Sequence, residues 1–267
     1  MTTTKLGASG PASFVALVRR ECVRFVRQPA RMIASVGTAL VLWIFLSSGL
    51  GSAMDRGGMA EGAEPGAYML AIAPSMATLA MLFSSIFGAI SLIEDRHSGF
   101  LQAALVSPAP RWSIAMAKSV SASLLALAQA CVIMLPVAFL HDRVGILDVA
   151  STLVPLACVS LGVAGLSMAL AWRVDSVQGF HGVMNLVLMP MWLLSGGVFP
   201  LDQSSPWLRA IAMANPLTWP TRLIQGMLAP GTLAAESVWI LWTATIAFGL
   251  GGLALAWRTL GSGRLAR

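Results

Sequence analysis

Charged side chains are scarce: Asp, Glu, Lys and Arg make up 10% of the 267 residues, whereas hydrophobic residues make up 57%. Soluble domains carry about 25% charged residues, so this chain cannot be solvated all round. Its mean hydropathy of +0.79 agrees. Lysine is nearly absent. Lys5 follows Thr4 and Lys118 follows Ala117, so neither sits in the Gly-Lys-Ser/Thr context of a phosphate-cradling loop. If ATP powers this protein, another polypeptide binds it. The three cysteines, Cys22, Cys131 and Cys158, form no CxxC pair and no disulfide framework. His97, His141 and His181 lack metal-ligand spacing, so no metal or cofactor site is expected. The Gly165–Met168 stretch "GLSM" with His181 has no third group to make a hydrolase, and no catalytic residue is assigned.

Long uncharged runs are what the chain has in quantity. They cover Met32–Met54, Pro65–Ile93, Ser119–Leu140, Val149–Trp172, Ser176–Leu201 and Ser237–Trp257. Each exceeds the ~20 residues a helix needs to cross the hydrocarbon core. The expected fold is an all-α integral membrane protein of six transmembrane helices in a single domain, 1–267. It divides into an interface helix (11–30), a six-span bundle (32–257) and a tail (258–267). Met1–Gly10 is polar and the first apolar run is of spanning length, so no cleavable signal is expected.

Lys and Arg set the orientation. With both termini inside, 13 of the 17 lie in inside segments, and only Arg56, Arg143, Arg209 and Arg222 lie outside. That asymmetry predicts cytoplasmic termini. The net charge of +6 then reflects membrane orientation, and no nucleic-acid partner is expected.

Three segments stand out from the apolar background. "FVALVRRECVRFVR", 14–27, reads as an amphipathic helix with Arg19, Arg20, Arg24 and Arg27 on one half of the wheel, and Pro29 is expected to end it. Glu21 and Val23 fit that wheel poorly. The helix suits either an anchor on anionic lipid headgroups or a contact with a cytoplasmic partner. Gln178, His181 and Asn185 in the fifth run share one face within roughly 60°. They are expected to face the protein interior, either tying helices together or lining a substrate path. The stretch 195–231 is broken by Pro200, Pro206, Pro216 and Pro220. It suits a half-buried hairpin of short helices or an outer loop with interfacial Trp207 and Trp219.

The polar island "EDRHSGFLQAALVSPAPRWSIAMAK" between the second and third runs resembles the signature loop of type-2 ABC exporter permeases. The matching features are Glu94, Asp95 and Arg96, then Gly99, Leu101 to Val106, Ser107-Pro108, Arg111 and Lys118. The family's second signature is similar to Ser195, Gly196, Phe199, Pro200, Pro206, Trp207, Leu208, Asn215, Pro216, Leu217 and Thr218. The resemblance implies a permease that is not itself an enzyme, paired with a second permease copy or paralogue and with separate ABC ATPase subunits. It implies export of an amphipathic or lipid-like cargo (drug, glycolipid or polysaccharide type) across the bacterial plasma membrane. Delivery of haem or a metal cofactor, or a non-transporting scaffold role, are the alternatives. It also implies that the loop forms a cytoplasmic coupling helix on the ATPase. Phe100, Leu101, Ala104 and Leu105, at helical spacing, would supply its apolar seat, with Gly99 turning the chain into it and Pro108 with Pro110 ending it.

Overall fold

The computed structural model describes residues 10–57, 66–107, 109–140, 144–199, 201, 204–229 and 238–261. Pro108 and Pro200 lie outside the described residues. The helices are α1 (Gly10–Val26), α2 (Pro29–Gly57), α3 (Ala67–His97), α4 (Phe100–Val106), α5 (Arg111–Met134), α6 (Val137–Leu140) and α7 (Ile146–Ser151). They continue with α8 (Leu153–Trp172), α9 (Val177–Val183), a π-helical turn (Met184–Leu188), α10 (Met189–Leu193), α11 (Pro206–Ala214), α12 (Thr218–Leu228) and α13 (Val238–Gly261). The all-α, multi-span membrane architecture is as expected.

Five stretches among the described residues are long and apolar enough to cross a membrane: Pro29–Gly51, Ala67–His97, Trp112–Phe139, Ile146–Trp172 and Val238–Leu260. The expected span over 176–201 is different. It is helical only from Val177 to Leu193 and widens into the π-helical turn at its centre. Pro190 supplies the reason: a proline has no N–H for the Leu186 carbonyl, and its ring would strike that carbonyl in a regular α-helix. Met189 N–H instead bonds the Met184 carbonyl, five residues back. A count of uncharged residues could not reveal this interruption.

The first helix ends at Val26, just ahead of Pro29 as expected. Pro29 also opens α2 after a two-residue break at Arg27 and Gln28, where a missing N–H costs nothing. Pro136 separates α5 from α6 as a helix breaker does.

The core forms around α3, 83% of whose most apolar stretch is buried, against 17% for α2. At 31 residues α3 is about 46 Å long, well beyond the ~30 Å hydrocarbon core. Its last turn, Glu94 to His97, therefore has room to project past the lipid tails. Helices α8 and α13 make the closest backbone approach. A Cβ at Gly165 would collide with the Gly252 carbonyl, and one at Gly252 with the Gly162 carbonyl. Small residues allow this contact where lipid offers no hydrophobic drive to helix pairing.

At the end of the bundle away from α4, α11 and α12 form a two-helix hairpin. The buried Asn215 at its bend donates from Nδ2 to the Met191 carbonyl at 2.6 Å and accepts from Leu217 N–H at 3.1 Å. Thr218 Oγ1 donates to the Ala212 carbonyl at 2.6 Å. Gln225 Nε2 donates to the Ala71 carbonyl at 2.8 Å and Trp192 Nε1 to the Ser75 carbonyl at 2.8 Å, fixing the hairpin and α10 against the start of α3. Trp207 and Pro216 are exposed.

Candidate functional site

The end of α3 is a junction of four helices. Buried carboxylates require partners, because an unpaired ion in low dielectric costs several kcal/mol. Asp95 is 2% exposed, Lys118 on α5 is 4% and Glu21 on α1 is 8%. Lys118 Nζ pairs with Asp95 and lies 2.9 Å from Glu21 Oε1. Arg24 donates to Asp95 Oδ1 at 2.7 Å and to Glu94 Oε2 at 2.8 Å, and Arg31 donates to Glu94 Oε1 at 2.8 Å. Ser91 Oγ accepts from Arg24 at 3.0 Å. The four arginines read on one half of the α1 wheel therefore divide. Arg20 and Arg24 turn inward to acids, while Arg19 and Arg27 stay exposed beside Val15, Val23 and Val26.

Four of these partners tie α1, α2 and α5 to the acids of α3, and the sequence had pointed to only some of them. Glu21 carried a signal, because an acid that spoils an amphipathic wheel marks a buried pairing. Arg31 carried none, since it sits at the head of a long apolar run.

Arg96 and His97 turn the opposite way. Arg96 Nη2 donates to the Trp172 carbonyl at 3.0 Å, and Nη1 donates to the Val174 carbonyl at 3.3 Å and to Asp175 Oδ1 at 3.2 Å. Its guanidinium lies 5.0 Å from the Trp172 ring centroid. His97 Nε2 is 2.8 Å from the Asp175 carbonyl. The last carbonyls of a helix lack intrahelical donors, and a cation there is favourable. Arg96 thus closes the end of α8 and holds the turn into α9.

The chain then turns through Gly99, whose φ of 76° is natural only for glycine, into α4. Phe100 lies under Arg20, 3.6 Å from guanidinium carbon to ring centroid. Leu101 is 3% exposed and belongs to the core of this chain. Gln102 Nε2 donates to the Arg96 carbonyl at 3.2 Å. The apolar face expected to seat on a partner is in these places seated on the chain itself. What α4 leaves open is Gln102, Ala103 and Val106, the last 86% exposed. Leu105 lies on the same helix, and Arg111 opens α5.

Gln178, His181 and Asn185 do share a face, but it is exposed rather than turned into the bundle as expected. Inward positions are taken by Phe180, Met184, Leu188 and Trp192, each four residues from the next. Periodicity established the shared face but not its neighbour. Asn185 lies within the π-helical turn, a feature frequent at functional sites.

Comparison with known proteins identifies the family. The pattern of the ABC-2 type transporter family matches residues 12–228, from α1 through α12. The chain belongs to that family. "Putative transport permease ycf38" of Cyanophora paradoxa is 27% identical over 207 residues, covering 76% of this chain and 69% of the relative. "Nodulation protein J" of Neorhizobium galegae is 26% identical over 226 residues, 84% of each chain. "Probable multidrug ABC transporter permease YbhR" of Escherichia coli K12 is 26% identical over 152 residues, 56% of this chain and 41% of the relative. The ABC-2 permease is a membrane-embedded transport protein and not an enzyme, with ATP hydrolysis expected in a separate partner.

Proposed function

We propose that this permease is the transmembrane subunit of an ATP-driven exporter of the bacterial plasma membrane, and that a separate ABC ATPase docks on α4. The observation that carries the reading is the state of α4: one face fixed by Phe100 and Leu101, the other open at Val106. A helix that is anchored inward and bare outward suits transmission of a partner's motion. Glu94, Asp95 and Arg96 act as its base, Gly99 as its entry, and Leu105, Pro108 and Arg111 complete the loop.

The Lys and Arg asymmetry supports a cytoplasmic side for α1, α4 and both termini. A sixth crossing is then made by α9, the π-helical turn and α10. The 17 helical residues Val177–Leu193 sit at the lower limit for a span. The α11–α12 hairpin, with Pro200, Trp207, Asn215 and Pro216, is a re-entrant element dipping from the outer side. Its α12 arm packs on α13, α3 and α8, as lipid requires of a re-entrant segment. The permease works with a second copy or paralogue. Exposed Gln178, His181 and Asn185 lie beside Leu186, which is 78% exposed. That mixed surface suits an amphipathic or lipid-like cargo crossing between the two permeases. Arg19 and Arg27 face anionic headgroups.

The test is co-purification with a cognate ABC ATPase. The isolated permease should not hydrolyse ATP, and Val106→Asp should insert normally yet retain less ATPase. Hydrolysis by the contaminant-free chain, or undiminished capture by Val106→Asp, would refute the reading.

A further inference from the structure

We propose that Arg96 is a positioning residue that carries movement of α4 into α9, so that ATPase motion reaches the helix bearing the exposed polar face. This inference rests on the docking of an ATPase at α4 proposed above.

Three observations support it. The first is the division of labour in four consecutive residues: Glu94 and Asp95 bind α1, α2 and α5, while Arg96 and His97 bind the α8–α9 turn. Arg96 and His97 therefore couple the base of α4 to a moving candidate, whereas the acids couple it to a frame. The second is directness. Gln102 in the first turn of α4 bonds the Arg96 carbonyl, and the Arg96 side chain bonds Trp172, Val174 and Asp175. One residue thus joins α4 to the turn through its two ends. Its side chain is only 15% exposed, unlike the 84% of Asp175, so the carbonyl contacts are the shielded part of the link.

The third is mechanical. Helix α9 has seven residues, starts at Ser176 with its side chain accepting from Gly179 N–H, and runs directly into the π-helical turn. A short rod held at one end and joined to a widened turn at the other can tilt without unfolding its neighbours. Helix α8 has no such freedom, because its glycines lie against the α13 backbone. A push at the α8–α9 turn is therefore taken up by α9 and absorbed at Met184–Leu188.

The experiment uses the full chain with its ATPase in proteoliposomes. Cys22, Cys131 and Cys158 are changed to Ala, and a nitroxide is placed on Gly182→Cys, where an added Cβ meets open space. Its spectrum is compared in the nucleotide-free and ADP–vanadate-trapped states. With Arg96 present, the two spectra should differ. In Arg96→Ala the ATPase should still be captured and the nucleotide-dependent difference should be lost. Arg96→Lys, which keeps the charge but not the fork that reaches two carbonyls and a carboxylate, should recover only part of it. An undiminished difference in Arg96→Ala, or in Arg96→Lys should the alanine variant fail to assemble, overturns the proposal while ATPase docking stands. No ATPase capture by the Arg96 chain overturns both, and the two failures are told apart by the capture measurement alone.

Discussion

At the α4 end, helices meet through Arg24, Arg31, Lys118, Glu21, Glu94 and Asp95. At the hairpin end they meet through Asn215, Thr218, Gln225, Trp192 and Tyr68, neutral groups that donate to backbone carbonyls. The difference follows from where each end sits. Charges are tolerable where α3 outruns the hydrocarbon and α1 can cover them, and they bind at longer range. Amides and hydroxyls need no counter-charge, so they suit a hairpin whose α12 arm packs among apolar spans. The ionic contacts can be loosened by salt or by a partner's charges; the neutral bonds named here cannot.

The largest break in that contrast should come from Lys118→Met. It removes the buried cation shared by Asp95 and Glu21, which keep Arg24 and Arg20, and should cost about 1.5–3 kcal/mol, read as a lowered unfolding temperature in detergent. Adding Glu21→Gln should restore part of it, because the buried acids then carry one charge fewer for the remaining arginines to balance. Next comes Asn215→Ala. Loss of its two bonds should cost about 1–2 kcal/mol and speed hydrogen exchange over 216–228 without touching α1. Raising NaCl to high concentration should weaken the half-exposed pairs of Arg24 and Arg31 by less than about 1 kcal/mol. Faster exchange should then appear in α1 and not in α12. Exchange rising equally at both ends would mean that the two are not chemically distinct. The smallest effect should be Asp175→Asn. With its side chain 84% exposed, the pair with Arg96 should contribute about 0.5 kcal/mol or less, so thermal unfolding should hardly move.

Much of the α4 end was legible. The arginines at 19–27 and the acids Glu94 and Asp95 are of opposite charge and suited to pair, and Glu21 was out of place on its wheel. Gly99 announced a turn because few other residues accept positive φ. The seat of Leu101 was not legible, since an apolar helical face is the same whether its own chain or a partner covers it. The direction of Gln178, His181 and Asn185 failed for the same reason. The break in the 176–201 run depends on where Pro190 falls relative to a carbonyl four residues earlier, which a hydropathy count does not register. Asn215 was read as part of a signature, but its role in stitching the bend depends on Met191, 24 residues away.

The backbone contact of α8 with α13 has a consequence for the surrounding bilayer. Two helices locked glycine to glycine must tilt together, so neither can adjust alone when the membrane thins or thickens. Hydrophobic mismatch is then taken up by the least buried of the five spans, α2, whose most apolar stretch is only 17% buried. Because α2 follows α1 after two residues, lipid composition acts on the same frame that holds Glu94 and Asp95. Thickness of the host membrane thus becomes a setting of the charged junction, transmitted by the least buried of the five spans.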